Sequence, residues 1–263
     1  MQRRLLFCFV ATMFVAFLVS AAAAQSNTAA QEIQLGKQAL SQGKYDEAIE
    51  HFQKAIDANP MNVYMHLDLA TAFAQKYVPG VDKEENTALA EQAINHYQKV
   101  IDLDTSRSAS LKAAKGIAYL QAQMNKFDES KLSYGKAKEL DPMDPEPFYF
   151  IGVIDTTLAS EFRKQQRAKL SLKPEDSLAA KDPKVCAEVR GKNLGYLSEG
   201  IDNLNQALEL DPQYVAAMTY MNLSYLERAD IQCDDPAARK ADLKSADDWQ
   251  KKAQLLKQKK TTP

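Results

Sequence analysis

Turn-forming residues are scarce in this chain of 263 residues, with nine glycines and ten prolines. No stretch alternates β-branched with polar residues, which excludes a sheet-built architecture. Cysteine is rarer still, at three. The motifs that carry common chemistries are absent: no HExxH, no CxxC and no phosphate-cradling glycine loop. Neither a serine nor a cysteine stands in a nucleophile elbow. The three histidines, His51, His66 and His96, lack ligand spacing, and each reads as a helix-surface residue. No catalytic residue, metal site or cofactor is therefore expected.

A basic surplus is missing as well. The chain holds 33 basic and 35 acidic residues, which argues against a nucleic-acid partner. Long apolar runs are limited to one, Leu5 to Val19. It follows Arg3 and Arg4 and ends in Ala22-Ala23-Ala24, the pattern of a secretory leader cleaved after Ala24. The run is short for a bilayer span, and Cys8 inside it lacks the small-residue context of a lipoprotein site. Loss of residues 1–24 lowers the basic count from 33 to 31, for a net charge near −4. An exported chain without a membrane span, periplasmic or extracellular, is the expectation.

What is present is helix-forming sequence, 45% hydrophobic and 26% charged. Thr28 with Gln31 looks like a capping box opening a helix to about Gln42. Gly43 stops it, Tyr45 to Ala58 forms a second helix, and Asn59-Pro60 ends that one. Leu35, Ala39, Ala48, Phe52 and Ala55 are expected to be buried between the two. Gly36 and Ala48 allow close approach, and Phe52 fills the seam.

Similar sets recur. Leu69, Ala70 and Phe73 precede Ala93, Tyr97 and Val100. Ile117 and Ala118 precede Phe127, Ser130, Tyr134, Ala137 and Pro142. Phe148, Ile151 and Gly152 precede Gly200, Leu204, Ala207 and Pro212. Met218, Met221 and Tyr225 precede Ala246, Trp249 and Ala253. These positions resemble the tetratricopeptide repeat, a helix-turn-helix unit of about 34 residues. The resemblance implies an all-α, right-handed α-solenoid of about five helical hairpins. After the leader (1–24) the domain spans 25–263, with hairpins at about 28–60, 62–104, 109–142, 144–212 and 213–259.

Three units depart from the pattern. The paired small positions lie twelve residues apart in the first and third (Gly36 to Ala48, Ala118 to Ser130). They lie 23 apart in the second (Ala70 to Ala93) and 48 apart in the fourth (Gly152 to Gly200). The fifth is extended too, with Asn222 at its small position. The second-unit addition turns at Pro79-Gly80 and restarts with Asp82 as cap and Glu85 completing a box. The fourth-unit addition prolongs its first helix through Phe162 and Arg167. A polar loop follows, Leu172 to Lys181, and Asp182-Pro183 restarts helix. Asp235-Pro236 repeats that device. The segments YVPGV (77–81), FYFIGVID (148–155), RAKLSLKPED (167–176), NLNQALELDPQY (203–214) and CDDPAARKADLKSADDW (233–249) resemble a family of secreted bacterial tetratricopeptide proteins. That likeness implies export and fold and supplies no activity.

Cys186 lies 26 residues before Pro212 and Cys233 21 after it. On antiparallel helices they sit near one end, offset by roughly 7–8 Å at about 1.5 Å per residue. A disulfide is the leading expectation in an exported chain. Two unpaired thiols, or a reactive Cys186 near a helix N-terminus, are the alternatives.

In stacked hairpins of this kind the first helices line a concave face where peptides usually bind. The repeat register places Lys37, Tyr64, Thr71, Lys112, Lys115, Tyr119 and Tyr149 there. Lysines would meet carboxylates, and tyrosines supply rigid area with a polar tip. The leading reading is a non-enzymatic scaffold or adaptor of the bacterial envelope that binds a protein or peptide segment. The alternatives are a structural, self-assembling envelope component and an accessory domain of an enzyme complex with 156–182 as a lid. Oligomerisation is left open.

Overall fold

The computed structural model describes residues 29–104, 106–173 and 176–261. The leader, Cys8 and Thr28 lie outside them. The described residues form eleven helices and no strand. They are α1 (29–41), α2 (Tyr45–Ala58), α3 (Val63–Lys76), α4 (Glu84–Leu103), α5 (Ser108–Gln123), α6 (Phe127–Leu140), α7 (Pro145–Lys169), α8 (Leu178–Lys181), α9 (Pro183–Leu210), α10 (Val215–Asp230) and α11 (Pro236–Thr261). They fall into two compact units that part at Lys126 and Phe127. The fold is all-α and of tetratricopeptide type.

The first unit, α1 to α5, is built from short helices with clear local stops. Gly43 takes φ +71°, a left-handed conformation that ends α1 without strain. Asn62 caps α3 by accepting from the Tyr64 and Met65 amides at 3.0 and 3.2 Å. A Cβ at Gly36 would stand 2.6 Å from the Phe52 ring, so only glycine lets that ring seat between α1 and α2. Phe52, Leu69, Ala90, Ala93 and Val100 are wholly buried in one continuous core. Leu35 departs from expectation: it is 38% exposed, and Ala39, one turn on, faces inward instead.

The expected Asp82 cap is also corrected. Lys83 occupies the N-cap of α4 and makes no side-chain cap bond. The preceding turn is organised by Asn86, which accepts from the Val78 amide and donates to the Val78 and Val81 carbonyls, each at 2.9 Å. One amide side chain thus satisfies three backbone groups of the Pro79-Gly80 turn.

The second unit, α6 to α11, has two cores. The first gathers Phe148, Leu204, Ala207, Met218 and Met221 where α7, α9 and α10 meet. Gly152 and Gly200 mark the crossing of α7 and α9: a Cβ at Gly152 would lie 2.5 Å from Leu204 Cγ and 2.9 Å from the Gly200 carbonyl. The second core, of Ala159, Leu178, Cys186, Val189, Leu197 and Ile231, belongs to the fourth-unit extension. The segment 172–181 is accordingly not all polar loop. Residues Leu178–Lys181 form a helical turn, capped by Ser177 and anchored by a wholly buried Leu178. Arg167 donates to the carbonyls of Lys173 and Asp176 at 2.5 and 3.0 Å, which ties both to α7.

Asp182 caps α9 through the Lys184 and Val185 amides, and Asp235 accepts from the Ala238 amide at 2.8 Å. Asn222 keeps its place at a close approach by donating to the Ala246 carbonyl at 2.8 Å, which reconciles a polar residue with a small-residue position. Cys186 and Cys233 are joined by a disulfide with Cα atoms 5.8 Å apart. Among the described residues no helix is long and apolar enough to cross a membrane.

Candidate partner-binding surface

In the first unit, six of the seven expected groove residues stand on α1, α3 and α5. Tyr64 and Thr71 share one face of α3 at i and i+7, and Lys112, Lys115 and Tyr119 share one face of α5 at i, i+3 and i+7. Tyr64 is 65% exposed and Tyr119 48% exposed, so both rings are available to a partner. Thr71 is turned inward. Its hydroxyl donates to the Leu67 carbonyl at 2.8 Å and lies 3.4 Å from the Tyr97 hydroxyl. Burial raises the Tyr97 phenol above its ordinary pKa.

Sequence reasoning missed the carboxylate at the centre of this face. Asp68, one turn after Tyr64, lies 3.6 Å from the Lys37 ammonium. Burial raises its pKa, while Lys37 and then Lys112 pull it down. Lys37, Asp68 and Lys112 therefore form a row of alternating charge across α1, α3 and α5. The i, i+4, i+7 spacing of Tyr64, Asp68 and Thr71 was the available signal.

Tyr149, the seventh residue, belongs to the second unit. There it packs against Tyr214 (ring centroids 4.8 Å), Phe150 (5.0 Å) and Tyr220 (5.7 Å, edge-on). Burial and then the Tyr220 phenol raise its pKa. Burial likewise raises that of Tyr214, with Tyr149 and the nearby carboxylates of Glu146, Asp144 and Asp211 adding to it.

The histidines are corrected in part. His66 is buried, and its Nδ1 meets His96 Nδ1 at 3.0 Å, while its Nε2 lies 2.9 Å from the Pro60 carbonyl. A carbonyl only accepts, so Nε2 carries a hydrogen, and Nδ1 is left to accept from His96 Nδ1–H. Burial, then the His66 ring, lowers His96 to about 4, which keeps it neutral at ordinary pH. The third, His51, bonds Glu32 at 2.6 Å. Among the described residues no three His, Cys, Asp or Glu side chains converge on a metal position.

The second unit also holds a buried charge cluster. Asp155 is wholly buried; its Oδ1 accepts from Lys131 at 2.6 Å, and its Oδ2 has no partner among the described residues. Lys131 also reaches Glu199 at 3.0 Å. Burial raises Asp155 to about 6 against the pull of Lys131. Arg163 makes a two-pronged pair with Glu227 at 2.5 and 2.8 Å and reaches Asp230 at 2.8 Å. These groups join α6, α7, α9 and α10, and Lys131 and Glu199 also line a surface pocket with Asp128, Lys138 and Asn203.

Family models carry the repeat assignment. A TPR repeat model matches residues 36–76, and a tetratricopeptide repeat model matches 116–143. The chain is a tetratricopeptide-repeat protein. RNA polymerase II-associated protein 3 of Rattus norvegicus is 31% identical over 127 residues, 48% of this chain and 17% of that protein. The Homo sapiens counterpart is 28% identical over the same length. The tetratricopeptide chain thus spans about a sixth of the curated relatives it matches.

Solved structures share the fold. A MamA structure superposes with TM-score 0.56 at 17% identity, over 89% of this chain and 94% of that one. MamA from Desulfovibrio magneticus RS-1 gives 0.58 at 13% identity, over 89% and 98%. YrrB, described as a tetratricopeptide protein with an unusual peptide-binding site, gives 0.53 at 13%, over 93% and 97%.

Proposed function

We propose that this tetratricopeptide protein is a non-enzymatic interaction scaffold of the bacterial envelope, exported by cleavage after Ala24. It binds a carboxylate-bearing peptide segment on the α1–α3–α5 face. The observation that supports this most is the Lys37–Asp68–Lys112 row flanked by the exposed rings of Tyr64 and Tyr119. Exposed lysines attract a segment's carboxylates. Tyrosine rings give it flat, stiff contact area with little ordering cost. The central carboxylate discriminates, because a segment with acidic groups opposite Asp68 is repelled. The peptide site named for YrrB is in keeping with such a role for this fold.

The test is an array of acidic and neutral peptides read by fluorescence anisotropy. Acidic peptides should bind the full chain, and a Lys112→Ala, Lys115→Ala, Tyr119→Ala variant should lose them. Binding that is indifferent to peptide charge, or unchanged in the variant, would rule the reading out. Appearance of the mature chain in a periplasmic fraction tests the location separately.

A further inference from the structure

In the second unit a cavity opens between α6 and α9, over Ile151 of α7. Asp128, Lys131, Gly135 and Lys138 line it from one side of α6, at i, i+3, i+7 and i+10. Glu199 and Asn203, one turn apart, line it from α9. A Cβ at Gly135 would meet nothing within 4 Å, so the wall is open there. Leu132 and the buried Ile151 supply its apolar surface.

The two lysines are held differently. Lys131 is neutralised, because it reaches the buried Asp155 at 2.6 Å and Glu199 at 3.0 Å. Lys138 makes no ion pair among the described residues. Its ammonium donates to Asn203 Oδ1 at 3.1 Å and stands 4.2 Å from the centre of the Phe148 ring. Asn203 is only 9% exposed, so that position is fixed from within. Burial lowers the Lys138 pKa, and Glu199 acts against it. Glu199 is thus near enough to act on Lys138 and too far away to pair with it. A partly buried cation held by neutral partners lacks the counter-charge that its burial calls for.

The charges of the whole cavity decide what supplies it. Lys131 and Lys138 face Asp128 and Glu199, with Asp155 behind Lys131. A simple anion would meet the lining carboxylates, and a simple cation would meet the lysines. A molecule that carries both charges and no net charge is opposed by neither set. We propose that this cavity binds a small aliphatic amino acid, with its carboxylate on Lys138, its ammonium on Glu199 and its side chain over Gly135 and Ile151. The ligand spans the gap that keeps Lys138 and Glu199 apart. Lys131 holds the Glu199 carboxylate in place from the other side.

Isothermal titration calorimetry on the full chain, with leucine as the probe, decides this. The wild type should bind leucine at millimolar concentration or below. Leucinamide lacks the carboxylate and N-acetyl-leucine lacks the ammonium, so each should bind more weakly by about tenfold or more. Gly135→Leu fills the cavity and should abolish binding. It should melt no lower than the wild type, because no internal neighbour is displaced. Lys138→Met should lose leucine. Glu199→Gln should reverse the preference, so that 4-methylpentanoate, the same molecule without its amine, binds better than leucine. A variant that merely loosened the fold would not show that reversal. The proposal is overturned if leucine does not bind, if the amide or the acetyl derivative binds as well as leucine, or if Glu199→Gln still prefers leucine.

Discussion

The two units are built from one repeat and hold themselves together differently. In the first, short helices bury a single core, and the ring of Phe52 lies on Gly36 as that of Tyr97 lies on Gly116. Ion pairs such as Lys37 with Asp68, Lys54 with Glu50, and Lys76 with Asp46 sit at its rim. In the second, α7 and α9 outgrow the repeat to 25 and 28 residues, and the added turns need a core, a disulfide and buried ion pairs of their own. The difference teaches that lengthening a hairpin is not free. Residues beyond the stack have no neighbouring repeat to cover them, so they must cover themselves or be covered by another chain.

The disulfide should give the largest separation. Cys186 and Cys233 enclose 47 residues of separation, for which chain entropy predicts about 4 kcal/mol of stabilisation. Cys186→Ser with Cys233→Ser should therefore raise hydrogen exchange in α7 to α11 while α1 to α4 keep their protection. Equal loss of protection in both units would break the comparison.

The buried carboxylate comes next. Asp155 carries a pKa of about 6 in the fold against an ordinary value near 3.8, so the folded state holds its proton more tightly than the unfolded state does. Its contribution is fully present below about 3.8 and is lost as pH rises through about 6. Asp155→Asn should thus stabilise the second unit by roughly 3 kcal/mol at pH 7.5, with the gain vanishing near pH 4. Thermal melts at the two pH values check it. A destabilised asparagine variant at pH 7.5 would show that the Lys131 pair outweighs burial.

Glycines sharpen the contrast within one unit. Gly152→Ala puts a methyl 2.5 Å from Leu204 Cγ and should cost about 1–3 kcal/mol. Gly135→Ala, on the same unit's α6, meets nothing within 4 Å and should stabilise by up to about 1 kcal/mol through helix propensity. Denaturant midpoints measured side by side would separate them, and equal midpoints would remove packing as the reason for Gly152.

Much of this fold is written locally. Gly43, Asn62, Pro60 and Asp182 set helix ends through their own backbone or side-chain chemistry, and Gly36 with Phe52 announces the seam. The cysteine pair could be read by counting helix length. Where reading failed, the cause lay elsewhere in the chain. The burial of Leu178 depends on a core assembled from α7, α9 and Ile231. The pairing of His66 with His96 and of Asp155 with Lys131 needs residues 30 and 24 positions apart to meet. Lys83 displaced Asp82 because Asn86 had already organised the turn. On the candidate surface, lysines and tyrosines followed from repeat register. Asp68 emerged only when α1 and α5 set a lysine on each side of it.

The smallest effect concerns that row, and its smallness is informative. Lys37 is 55% exposed in its pair with Asp68, so Lys37→Met should cost under about 1 kcal/mol at pH 7. The loss should shrink as falling pH protonates Asp68, which then attracts no lysine in either variant. In the same variant the Asp68 pKa, already raised by burial, should rise further, which carboxyl NMR titration would read. Lys112 still faces Asp68 from the other side, so the fold keeps one counter-charge. A cost of several kcal/mol would instead make this an ion pair that the fold needs. A negligible cost leaves Lys37 free to exchange Asp68 for an incoming carboxylate, because a side chain that contributes little to stability is one a partner can recruit cheaply.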